Sequence, residues 1–89
     1  MVYPVRIRVK DGSLSKPIET REKFKEVVKA IIKANDLLDI LELASPKEDP
    51  MEDVVDKLEE VASKNDGVVT IDDIGKAWEQ TVLEGIEQF

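Results

Sequence analysis

The stretch Lys64-Asn65-Asp66-Gly67-Val68-Val69-Thr70-Ile71-Asp72-Asp73-Ile74 ends one helix, leaves room for a very short strand and opens another helix. Gly67, preceded by Asn65 and Asp66, is a helix stop because these residues tolerate the left-handed conformation that closes a last turn. Thr70 is an N-cap with Asp73 three residues on, and Val69 and Ile74 bracket it as a hydrophobic staple. Downstream, the spacing predicts a helix over 70–89 whose buried stripe is Ile71, Ile74, Trp78, Val82, Ile86 and Phe89. Gly75 and Gly85 each cost about 1 kcal/mol relative to Ala inside a helix, which predicts close packing at both.

Upstream, Met51, Val54, Val55, Leu58, Val61 and Ala62 mark an amphipathic helix over 49–64. Asp49 is its expected cap, Pro50 suits its first turn, and Glu52 completes a capping-box-like arrangement. Ser45-Pro46 is a break, since a residue before proline is biased away from helix. Residues 20–44 hold one helix or two: Phe24, Val27, Val28, Ile31 and Ile32 form a stripe, Asn35-Asp36 offers a stop, and Leu37, Leu38, Ile40, Leu41 and Leu43 follow as a dense apolar cluster. At the start, Tyr3, Val5, Ile7 and Val9 alternate with Pro4, Arg6, Arg8 and Lys10, as a half-buried strand does. Asp11-Gly12 then predicts a two-residue hairpin turn that pairs Val9 with Leu14 and Val5 with Ile18. That register sets Lys16 against Ile7, and Pro17 confines the return segment to an edge or an extended arm. The expectation is one predominantly helical α+β domain, residues 1–89, with an N-terminal strand or hairpin (1–19) packed on three to four helices (20–44, 49–64, 70–89).

The 89 residues contain neither Cys nor His. Thiol nucleophiles, disulfides, zinc sites and imidazole acid–base chemistry are thereby excluded. No glycine-rich phosphate loop or serine nucleophile motif is present, and no cofactor is expected. No apolar run approaches a membrane span and the N-terminus lacks a leader's apolar region, so neither a membrane partner nor secretion is expected and the predicted location is cytoplasmic. Neighbouring carboxylates such as Asp72-Asp73 and Glu59-Glu60 diverge by about 100° on a helix and do not converge on one substrate atom. Asp53, Asp56 and Glu60 share a face, where solubility or ion pairing accounts for them. The chain reads as a non-enzyme.

Charge is divided unevenly. Residues 1–33 carry nine Lys or Arg against four Asp or Glu, and residues 34–89 carry four against sixteen, so a net charge of -7 conceals +5 followed by -12. Either the two parts face each other and neutralise, or the basic part docks an acidic partner. The second reading selects Arg6, Arg8 and Lys10, on the strand's polar side, as partner-binding residues, with a protein or a second copy as the partner. Nucleic acid is disfavoured. Read as a helix-turn-helix, residues 54–63 and 70–89 would present Asp72, Asp73, Glu79, Glu84 and Glu87 against Lys76 alone. Tyr3 lies on the face opposite the three cations, so no stacking platform accompanies them.

Over residues 58–82 the chain resembles one EF-hand. Gly67 takes the sharp-turn position of a loop over 62–73, Val69 the aliphatic position, and Leu58, Val61, Ile74, Ala77 and Trp78 the flanking apolar frame. The resemblance implies Asp66, Thr70 and Asp73 as calcium candidates. The first and third ligand positions hold Ala62 and Lys64, and Asp73 is shorter than the bidentate Glu of the pattern, so a degenerate loop with weak or no calcium binding is implied. The leading expectation is a small non-enzymatic interaction or regulatory module, with that degenerate helix-loop-helix as one alternative. A designed chain with no natural function is another: the caps, turn and composition agree with one another as designs do, whereas Gly75, Gly85 and the Lys16 mismatch do not.

Overall fold

The structure is a computed structural model and describes residues 2–88. Its elements run β1 (Arg6–Arg8), α1 (Arg21–Ala34), α2 (Leu38–Ala44), α3 (Met51–Lys64), β2 (Val68–Thr70) and α4 (Ile71–Glu87). The fold is predominantly helical α+β, four helices with a two-stranded parallel sheet. Phe89, expected at the end of the last stripe, lies outside the described residues.

β1 pairs parallel with β2, Arg6 opposite Val68, Ile7 opposite Val69 and Arg8 opposite Thr70. Gly67 permits this pairing. Its φ is +80°, and a Cβ there would lie 3.0 Å from the Pro4 carbonyl oxygen, while its own carbonyl accepts the Arg6 N–H at 2.8 Å.

The other edge of β1 holds the return segment, in a register that corrects the expected one. Val5 does pair with Ile18, but Leu14 pairs with Arg8 instead of Val9. The turn contains three residues: Gly12 N–H donates to Val9 O, Val9 N–H to Ser13 O, and Gly12 sits at φ +92°. The shift is absorbed by one extra residue at Lys16-Pro17, where Ser15 Oγ accepts the Ile7 N–H at 2.9 Å. Lys16 is thereby released to solvent instead of facing Ile7.

Residues 20–44 form two helices. Asp36, at φ +58°, ends α1 in a Schellman closure in which Leu37 N–H reaches Ile32 O and Asp36 N–H reaches Lys33 O. α3 ends at Asp66, φ +55°, with Gly67 N–H reaching Ala62 O at 2.8 Å. At its start Asp49 accepts the Met51 N–H, as expected of the cap, but the Glu52 side chain turns to Arg21 instead of closing a capping box. The complete capping box is at α4, where Thr70 Oγ1 accepts Asp73 N–H and Asp73 Oδ2 accepts Thr70 N–H. Thr70→Ala is expected to cost about 1 kcal/mol in urea unfolding, and a loss below a few tenths would mean the cap is not used.

The core gathers Val5, Ile7 and Val69 from the sheet and its approach, Phe24, Val28 and Ile32 from α1, Leu41 from α2, Met51, Val54, Val55, Leu58 and Ala62 from α3, and Ile74, Ala77 and Val82 from α4. Trp78 is partly buried, and its indole Nε1 donates to Leu37 O at 2.9 Å. The α4 stripe is corrected at its end. Ile86 is 54% exposed, and Thr81 and Gly85 take the inward positions. Among the described residues no helix is long and apolar enough to cross a membrane.

Candidate functional site

The charge division resolves into two populations. The first is internal: Arg21 on α1 reaches Glu52 and Asp56 at 2.9 Å and Glu59 at 2.5 Å, and Lys25 pairs with Asp49 and Glu52. Glu52, Asp56 and Glu59 follow at i, i+4 and i+7, so α3 presents a carboxylate row to the basic side of α1. The Lys25 ammonium, hydrogen-bonded to Asp49, holds that carboxyl below the usual carboxylate range.

Tyr3 closes this network from the N-terminus. Its hydroxyl donates to Glu59 Oε2 at 2.6 Å, and partial burial together with the Glu59 bond pushes its pKa upward. Ionising Tyr3 would place an anion against Glu59. A raised folded-state pKa means that the contribution is complete below the unfolded tyrosine value of about 10 and is lost as pH climbs through the folded one. Tyr3→Phe is therefore expected to cost about 1.5 kcal/mol at pH 7, with the difference from the parent shrinking above about pH 10. Urea unfolding at both pH values checks it, and a difference constant to pH 11 would assign the effect to packing.

The second population is external. Among the described residues, Arg6, Arg8, Lys10, Lys16, Lys29 and Lys33 are exposed and make no ion pair, whereas Arg21, Lys23 and Lys25 do. Arg6 and Arg8 flank the buried Ile7 and share the outer face of β1. Arg8 Nη1 donates to Gly12 O at 2.8 Å, which fixes the guanidinium over the turn. Lys10 departs from the expected row: the strand ends at Arg8, and Lys10 sits in the turn, beside Ile31 of α1 and Ile71 of α4. Arg8 and Lys10 still border one shallow recess with Ile71 and Asp72.

The three calcium candidates are placed differently. Thr70 and Asp73 spend side-chain oxygens on each other's backbone N–H, and Asp66 is the left-handed residue that ends α3. All three line a recess that Arg8 also borders. Among the described residues, no group of three or more acidic side chains is arranged to hold a metal ion.

Sequence reasoning missed Arg21 as the hub, although the i, i+4, i+7 row of acids on α3 was a readable signal. It also placed Ile40 and Leu43 in a dense apolar cluster and gave Leu83 no role, whereas all three are exposed. Five apolar residues within 37–43 are more than one face of a two-turn helix can bury, and that excess was the available sign. No family model matches the chain, and neither a curated protein nor a solved structure matches it.

Proposed function

We propose that this chain is a non-enzymatic interaction or regulatory module that docks an acidic protein surface through Arg6, Arg8 and Lys10. One observation carries the reading: acids of α3 and its cap pair with Arg21 and Lys25 of α1, but among the described residues Arg6, Arg8 and Lys10 of the N-terminal strand and turn, like Lys29 and Lys33 further along α1, stay exposed and unpaired. A face whose charge the molecule leaves uncompensated raises its rate of encounter with opposite charge. The strand beneath is held by the sheet and by Val5 and Ile7, both buried, so the cations are presented from an ordered base.

The test is exchange of Arg6, Arg8 and Lys10 together for Glu. Partners retained from lysate by the immobilised parent chain are compared with those of the triple variant, and association rates are then measured on the recovered partner. The expected outcome is unchanged folding by circular dichroism and an association rate lowered about ten-fold or more at low salt. Added salt is expected to lower the parent's rate in the same way, since exposed charges are screened over about 8–10 Å at 0.1–0.15 M. Equal rates for parent and variant, or indifference to salt, would reduce this face to a solvated one.

A further inference from the structure

We propose that the outer groove between α2 and α4 docks a cationic amphipathic helix of another protein. The surface follows from how the two helices lie. Trp78 Nε1 bonds Leu37 O, and seven residues further along each helix a Cβ on Gly85 would lie 2.3 Å from Ala44 O. Equal steps on both helices mean that they run side by side in the same direction for about two turns.

At 100° per residue, the strip of α4 that turns outward beside this contact carries Gly75, Glu79, Leu83 and Ile86, and the facing strip of α2 carries Ile40 and Leu43. Leu43 is 80% exposed, and Ile40, Leu83 and Ile86 are 47%, 51% and 54% exposed. At its head the groove opens into a recess of about 230 Å³ lined by Ile31, Leu37, Ile71 and Trp78. Gly75 keeps that end open, for nothing lies within 4 Å of where its Cβ would be. Between Gly75 and Ile86 the axis rises about 16 Å, the length of three helical turns. Single exposed aliphatics are ordinary, but four on two facing strips that continue an apolar recess form a contiguous surface.

The rim decides the occupant. By the same angles Asp39 lies beside Leu43 on α2, and Asp72, Glu79 and Glu87 lie beside Leu83 on α4, with Asp36 just ahead of α2; all five are exposed, and among the described residues none of them is in an ion pair. Lys10 in the recess at the head and Lys76, next to Gly75 on α4, oppose them. An apolar strip bordered by free carboxylates complements a helix with an apolar face flanked by Lys or Arg. A second copy of this chain does not offer one, because α1, its cationic helix, has Phe24, Val28 and Ile32 buried in the core. The groove lies on α2 and α4 and carries the charge opposite to that of the basic face.

The probe is a Trp-free 14-residue peptide of two LKKLLKL heptads, titrated against the full chain while Trp78 fluorescence is followed. Saturable binding is expected, with no response to the LEELLEL counterpart. The double variant Leu43→Ser/Ile86→Ser, both positions exposed, is expected to fold and to weaken binding about ten-fold or more. The Arg6→Glu/Arg8→Glu variant, which leaves Lys10 at the head of the groove in place, is expected to bind the peptide as the parent does, so failure of the basic-face reading leaves this result intact. Equal affinity of parent and double variant would overturn the proposal, as would equal response to both peptides. Concentration-dependent dimerisation in sedimentation that the double variant abolishes would assign the groove to a second copy and overturn it too.

Discussion

Gly85→Ala is expected to destabilise the protein by about 2–3 kcal/mol, while Gly75→Ala, ten residues earlier in the same helix, stabilises it by up to about 1 kcal/mol. A Cβ on Gly85 would lie 2.3 Å from Ala44 O, 3.0 Å from Ala44 C and 3.1 Å from Ser45 Cα. All three are backbone atoms, so no side chain can swing aside, and α2 must move as a unit. At Gly75 there is nothing within 4 Å, and alanine only recovers helix propensity. Urea unfolding by far-UV circular dichroism measures both. Like signs for the two substitutions would mean that α2 and α4 do not meet as described. Gly85→Ala also tests the groove, because displacing α2 separates Ile40 and Leu43 from Leu83 and Ile86.

The same pair shows what the sequence exposed and what it concealed. Close packing was expected at both glycines, yet only Gly85 has a neighbour, since propensity marks where glycine is costly and not which turn faces another helix. The stop at Asn65-Asp66-Gly67 and the box at Thr70 and Asp73 were legible because caps are local. The expected hairpin turn failed by one residue. Asp-Gly signals a turn but does not choose between two- and three-residue loops, and the choice here sends Lys16 to solvent and puts Pro17 where the ladder is interrupted. The parallel pairing of β1 with β2 was beyond local signals altogether, because it joins residues about 60 positions apart through three intervening helices. For the candidate site, the exposure of Arg6 and Arg8 followed from alternation, whereas the displacement of Lys10 followed from the longer turn.

Phe24→Ala is expected to destabilise the protein by about 4 kcal/mol, more than Gly85→Ala. The ring is fully buried on α1 and meets Tyr3 edge to face, with centroids 6.1 Å apart and planes at 74°. Alanine removes the transferred apolar surface and leaves a cavity that α1 cannot collapse into, since Arg21 and Lys25 tie that helix to α3. It also removes the support on which Tyr3 reaches Glu59. The two losses are therefore coupled. In a double-mutant cycle, Phe24→Ala with Tyr3→Phe is expected to cost less than the sum of the single changes by about 0.5 kcal/mol or more. Phe24→Leu, which keeps most of the volume, is expected to cost about 1.5 kcal/mol. Urea unfolding of the four variants at pH 7 measures each term. Strict additivity would separate the aromatic contact from the Tyr3–Glu59–Arg21 network, and a Phe24→Ala loss below about 2 kcal/mol would mean that α1 closes over the cavity despite its ion pairs.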